Sequence, residues 1–111
     1  MLFRSFAIEA FWREFVDQVA FVDYNPWENA YENEPNGIDE ACSDLWRRTF
    51  VWWDGRMNPC DVDYRSWLSV GSLQETRLSD LWKGPGYERL RSSHMSGNRQ
   101  GLSPCAGCSV V

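Results

Sequence analysis

Four cysteines, Cys42, Cys60, Cys105 and Cys108, constrain this chain more than any other feature. The stretch joining the first two reads C-S-D-L-W-R-R-T-F-V-W-W-D-G-R-M-N-P-C, an apolar run that ends at Asp54-Gly55 and returns to a second cysteine. Asp-Gly between two extended runs predicts a hairpin, because a tight primed turn needs positive φ at its central residues. Such a hairpin would hold Cys42 and Cys60 near its open end. Cys105-Ala106-Gly107-Cys108 is a C-x-x-C knuckle, in which the glycine lets the backbone curl and point two sulfurs at one atom or cluster. Two plus two makes a four-thiolate site.

A single buried cysteine is ordinarily a small hydrophobe. All four in a two-plus-two pattern favour a metal over disulfides or unrelated thiols, and four in 111 residues fall below the density of a disulfide scaffold. Thiolates are soft ligands for zinc or for iron–sulfur clusters, and a closed set of four satisfies either. Spacing alone leaves both open. Zinc ribbons present two short knuckles, whereas 17 residues separate the first pair here, which suits a larger cluster whose irons sit apart.

Apolar residues at Phe3, Phe6, Ala7, Ala10, Phe11, Phe15 and Val16 describe one face of an N-terminal helix. It cannot stay folded alone and must pack on something. Residues 17–24 are apolar on both faces at their centre, which predicts a buried strand. Residues 25–41, with Asn25-Pro26 and Glu34-Pro35-Asn36-Gly37, read as a linker or exposed loop. The hairpin strands are expected near 46–53 and 56–60, with Pro59 limiting the ladder. Residues 67–71 offer a third short strand. Thr76 or Ser79 can cap a short helix through Leu78, Leu81 and Trp82. Pro85 then starts another, with Tyr87, Leu90 and Met95 along one side and Gly97 as its stop. Residues 101–111 read as a loop carrying the knuckle.

The formal charge of −5 argues against a general nucleic-acid binder, since neutralising phosphates requires a basic face. Arg4 and Glu9 interrupt the N-terminus, so it offers neither a secretory core nor a span of about 20 apolar residues. No membrane association is expected, and the cytosol, where thiols stay reduced, is the expected compartment. A chain this short gains materially from a metal centre.

Cys42, Gly55 with four residues before Cys60, Val70-Gly71-Ser72-Leu73, Leu78-Ser79-Asp80-Leu81-Trp82, Leu90-Arg91-Ser92-Ser93-His94 and Cys105-x-x-Cys108 follow one another in order. From about residue 40 to 108 the chain resembles the SPASM/twitch domain, the auxiliary iron–sulfur module at the C-terminal end of many radical S-adenosylmethionine enzymes. The resemblance implies a hairpin that ligates a cluster. With four cysteines instead of about seven, the chain is closer to the shortened twitch type. That type implies one auxiliary [4Fe-4S] cluster on Cys42, Cys60, Cys105 and Cys108, serving electron transfer or structural support. The C-x3-C-x2-C triad of the family's catalytic core has no counterpart here, so S-adenosylmethionine is not expected on this chain. The implied partner is a radical S-adenosylmethionine core on missing sequence or another chain, often one acting on a peptide. Residues 1–24 then resemble the last helix and strand of that core's barrel.

The expected fold is therefore α+β. An N-terminal helix and strand (1–24) and a linker (25–41) precede a small β-hairpin cluster-binding domain with short C-terminal helices (42–111). Trp46, Trp52, Trp53 and Trp67 are candidates to shelter the cluster as well as core. Asp54, Asp61 and Asp63 read as turn and solvated surface before they read as acid or base. His94, the only histidine, is expected to pack or meet solvent, and Arg89 and Arg91 carry no assigned chemistry. No nucleophile, base and orienting group can be assembled, so the chain is not expected to be catalytic alone. The alternative is a zinc-stabilised interaction module, with zinc also able to substitute for the cluster.

Overall fold

The computed structural model describes residues 2–24 and 27–111. Its centre is an antiparallel sheet of three very short strands in the order β1 (Phe50–Val51), β2 (Arg56–Asn58), β3 (Gly71–Ser72). Among the described residues four helices accompany it: α1 (Leu2–Trp12), α2 (Asp44–Arg47), α3 (Leu78–Trp82) and α4 (Pro85–Met95). Two 3₁₀ turns follow, Arg99–Gly101 and Cys105–Gly107. The architecture is α+β.

Phe50 faces Asn58 and Val51 faces Met57, which puts the hairpin at the expected place. Its connection differs from the two-residue primed turn. Trp52 N–H donates to the Arg56 carbonyl at 2.9 Å and Gly55 N–H to the Trp52 carbonyl at 2.9 Å, so Trp53, Asp54 and Gly55 form a three-residue loop. Only Gly55, at φ +90°, has the left-handed backbone that favours glycine, and Asp54 instead accepts the Arg56 N–H at 3.1 Å. β2 stops at Asn58, directly before Pro59, which has no N–H to extend the ladder. The third strand is later and shorter than expected, because Trp67 and Leu68 make a turn, closed by Ser69 N–H on the Ser66 carbonyl at 3.2 Å, before Gly71 pairs with Met57.

The first strand also starts later. Trp46 lies in α2, where Asp44 takes Arg47 at 2.9 Å and Arg48 at 2.6 Å, the three- and four-residue spacings that favour a helical turn. Cys42 therefore precedes a helix and is not part of the hairpin. α3 begins after Arg77, and neither Thr76 nor Ser79 caps it. α4 starts at Pro85 as expected, and its end is closed by Gly97 N–H on the His94 carbonyl at 3.2 Å and Asn98 N–H on the Ser93 carbonyl at 2.8 Å. Its buried face is Tyr87, Leu90 and His94; Met95 is exposed, because three- and seven-residue steps from Tyr87 reach Leu90 and His94.

Leu45, Met57, Tyr87 and Leu90 form the core, with Leu68, Val70, Leu81 and Trp82 packed against them. Arg91 locks this layer. Its Nε donates to the Leu45 carbonyl at 2.9 Å, its Nη1 to the Trp82 carbonyl at 2.7 Å, and its guanidinium lies 4.5 Å from the ring centres of Trp82 and Tyr87.

The N-terminal reading needs correction. α1 forms, but Phe6, Phe11 and Phe15 stay exposed, and Phe11, Trp12 and Phe15 touch one another. Residues 18–24 form no strand, and Val22 is 90% exposed. A strand needs a partner for its backbone groups, and the described sheet pairs only β1, β2 and β3. Residues 27–41 lack helix or strand, yet they do more than connect. The Tyr31 ring packs against Trp67, centres 4.3 Å apart and tilted by 56°, and Asn36 N–H donates to the Ala106 carbonyl at 3.1 Å. Asn25 and Pro26 of the expected linker lie outside the described residues. Among the described residues no helix is long and apolar enough to cross a membrane.

Candidate functional site

All four cysteines line one cavity of about 60 Å³. All four are free thiols and partly buried. Each arrives from a different local device. Cys42 lies just before α2, and its backbone N–H donates to Nδ1 of His94 on α4 at 3.0 Å. Cys60 follows the Pro59 stop, where Val62 N–H donates to its Sγ at 3.3 Å. Cys105 and Cys108 bracket a 3₁₀ turn closed by Cys108 N–H on the Cys105 carbonyl at 3.2 Å.

The knuckle glycine serves close approach more than a curled backbone. A Cβ on Gly107 would lie 2.6 Å from Asn33 Cβ and 3.1 Å from the Asn33 carbonyl oxygen, so only glycine lets the turn sit against residues 33–34. Asn36 completes that contact by donating Nδ2 to the Cys108 carbonyl at 2.9 Å.

Arg99 holds the knuckle from inside. It is 1% exposed and lines the cavity. Its Nη1 donates to the carbonyls of Glu40 and Val110 at 2.8 and 2.9 Å, and its Nη2 to those of Cys108 and Cys105 at 3.0 and 3.5 Å. It is held by carbonyls; no described carboxylate forms an ion pair with it. A buried guanidinium without a carboxylate prepares the cavity for a negatively charged occupant.

Burial pushes the Cys42 thiol up, Cys60 to about 11 and Cys105 to about 12. Negative charge on Cys60, Cys108 or Cys42 pushes Cys105 further, while Arg99 opposes it, so the sulfurs sense one another across the cavity. Cys42, Cys60 and Cys105 are thus protonated at neutral pH, and any metal that binds them displaces protons. His94 is buried, which together with Arg99 pushes its pKa down to about 4.

The tryptophans do not shelter the cavity. Trp46, Trp53 and Trp67 are exposed, and Trp52 donates Nε1 to Ser66 Oγ at 2.7 Å. The apolar walls are Leu45, Val62, Leu68, Leu90, Pro59 and Pro104. Asp63 is not solvated surface. It is fully buried and accepts the Tyr31 hydroxyl, the Trp67 N–H at 3.0 Å and the Leu68 N–H at 2.7 Å, bracing the loop after Cys60. Asp61 stays exposed beside the cavity, and Asp54 serves the turn.

Sequence reasoning expected His94 to pack or meet solvent, and it packs, at the cavity; Arg99 was not singled out at all. The helical spacing from Tyr87 and Leu90 could have marked His94 as buried; nothing local marks Arg99.

The four thiols line one shared space. Among the described residues no three histidine, cysteine, aspartate or glutamate side chains are grouped so as to hold a single metal ion. Fold and cavity together define a small α+β domain that gathers soft thiol donors and a buried cation around a shared cofactor space. Residues 42–109 match the model of the SPASM family, the iron–sulfur cluster-binding domain. That match covers more than half of the chain, and the chain belongs to the SPASM family. No curated protein and no solved structure matches it.

Proposed function

We propose that this chain binds one auxiliary [4Fe-4S] cluster through Cys42, Cys60, Cys105 and Cys108. It would serve electron transfer or structural support for a radical S-adenosylmethionine core carried on other sequence or another chain. The observation that carries the reading is the sharing of one cavity by all four thiols and the buried Arg99.

The donor set fits the group. A structural zinc needs four ligands about 2.0–2.3 Å from one centre, whereas a four-iron cluster takes one thiolate at each iron and so needs sulfurs spread around it. Four thiols that line one cavity, with no three donors grouped for a single ion among the described residues, favour the second. Four cysteines would leave no iron open to substrate, which favours electron transfer or support over substrate coordination. When bound, the cluster supplies a one-electron relay. The chain's own part is to spread the four sulfurs, keep apolar walls around them and neutralise charge through Arg99.

Anaerobic reconstitution with iron and sulfide, followed by metal and sulfide analysis and electron paramagnetic resonance, tests this. The expected result is about four irons and four sulfides per chain, with a resonance on reduction that is lost when all four cysteines become serine. Tight binding of one zinc with no uptake of iron or sulfide would favour the zinc-stabilised interaction module instead.

A further inference from the structure

Two cavity residues carry a buried nitrogen left unpaired among the described residues, Arg99 at Nε and His94 at Nε2, and in His94 this is half of the ring's hydrogen bonding. Its ring is 2% exposed, it lines the cavity, and α4 holds it in place on the face that also buries Tyr87 and Leu90. Nδ1 accepts the backbone N–H of Cys42, so Nδ1 carries a lone pair and the ring proton sits on Nε2. Nε2 is buried and meets no acceptor among the described residues. Buried polar groups are nearly always paired, so a donor left over at a cofactor cavity points to an acceptor on the cofactor.

We infer that the Nε2–H of His94 donates a hydrogen bond to a sulfur of the bound cluster or of one of its thiolates, and thereby raises the cluster's reduction potential. The inference rests on the cluster reading above. Reduction adds negative charge to the iron–sulfur core, and a donor aimed at sulfur stabilises the more negative state. The same geometry argues against His94 as an iron ligand, because Nε2 would first have to lose its proton while Nδ1 stays engaged by Cys42. His94 is a positioning and tuning residue.

Asparagine and glutamine separate the two nitrogens. In His94→Asn the short amide oxygen can still accept the Cys42 N–H, but no donor reaches the Nε2 position. In His94→Gln the longer amide places an N–H there. The full chain and both variants are reconstituted anaerobically, assayed for iron and sulfide, titrated with dithionite and followed by electron paramagnetic resonance. The expected result is equal loading, with the reduction equilibrium of His94→Asn lowered about tenfold, or about 59 mV for a one-electron couple, and that of His94→Gln close to wild type. Pulsed measurements should show an exchangeable-proton coupling to the cluster in wild type that is missing in His94→Asn. Equal potentials in all three chains, or a directly bonded nitrogen coupling in wild type, would overturn the inference. If His94→Asn fails to fold, absence of the exchangeable-proton coupling from wild type alone overturns it. Failure of every chain, wild type included, to take up iron and sulfide would instead refute the cluster reading itself.

Discussion

Arg99 Nη1 donates a hydrogen bond to the carbonyl of Glu40 at 2.8 Å, across 59 positions of sequence. The same guanidinium reaches Cys105, Cys108 and Val110, so one side chain ties the entry to Cys42 to the knuckle. Arg99→Ala should leave several buried carbonyls unpaired and lower stability by about 3 kcal/mol. Arg99→Lys keeps the charge but not the planar fork, and should recover less than half of that loss. Urea unfolding of the metal-free chain measures both, and a loss within about 0.5 kcal/mol for the alanine variant would show that Arg99 does not hold the knuckle.

Gly107→Ala should push the 3₁₀ turn away from residues 33–34, because the new methyl would meet Asn33 at 2.6 Å. The cost should be about 1–3 kcal/mol, as for other overpacking substitutions. Ala106→Gly, one position away, should lose well under half as much. The same urea titration decides, and iron retention during gel filtration should fall for Gly107→Ala alone.

Asp63→Asn replaces one of the two carboxylate oxygens that accept Tyr31, Trp67 and Leu68 with an amide N–H, setting donor against donor in a buried place. A loss of about 2–3 kcal/mol is expected. Near-ultraviolet circular dichroism should lose the signal of the packed Tyr31 and Trp67 rings, which lie 4.3 Å apart. An unchanged spectrum and an unchanged urea midpoint would count against a bracing role.

The metal-free, reduced chain should be most stable between about pH 6.5 and 9. On the acid side the unfolded His94 gains a proton near 6.5 while the folded one, buried and beside Arg99, resists until about 4. The unfolded state then binds more protons, and stability falls by about 2–3 kcal/mol as pH drops through that window. On the alkaline side unfolded thiols ionise near 9.0, while burial keeps Cys60 protonated to about 11 and Cys105 to about 12. The folded state then binds more protons, and stability falls as pH rises from about 9 towards 12. Thermal melts across this range check both limbs, and His94→Gln should flatten the acid one.

Features written in neighbouring residues were the legible ones. Asp54-Gly55 marked the hairpin, Pro59 its end, Pro85 the start of α4, and the ordered motifs around the cysteines marked the family. Errors arose where a pattern depended on a distant partner. Residues 17–24 have the composition of a strand, but no described strand offers them hydrogen bonds. Trp46 has a residue type favoured in strands, but Asp44 with Arg47 and Arg48 turns its segment into a helix.

Residue types and short spacings were enough to establish four soft donors, a short hairpin and a C-x-x-C turn, because thiolate softness and turn chemistry act within a few residues. They could not establish how those donors are held. Cys42 meets His94 across 52 positions, and Glu40 meets Arg99 across 59. Such contacts depend on which backbone groups are left unpaired once the chain has packed, and only the folded arrangement decides that.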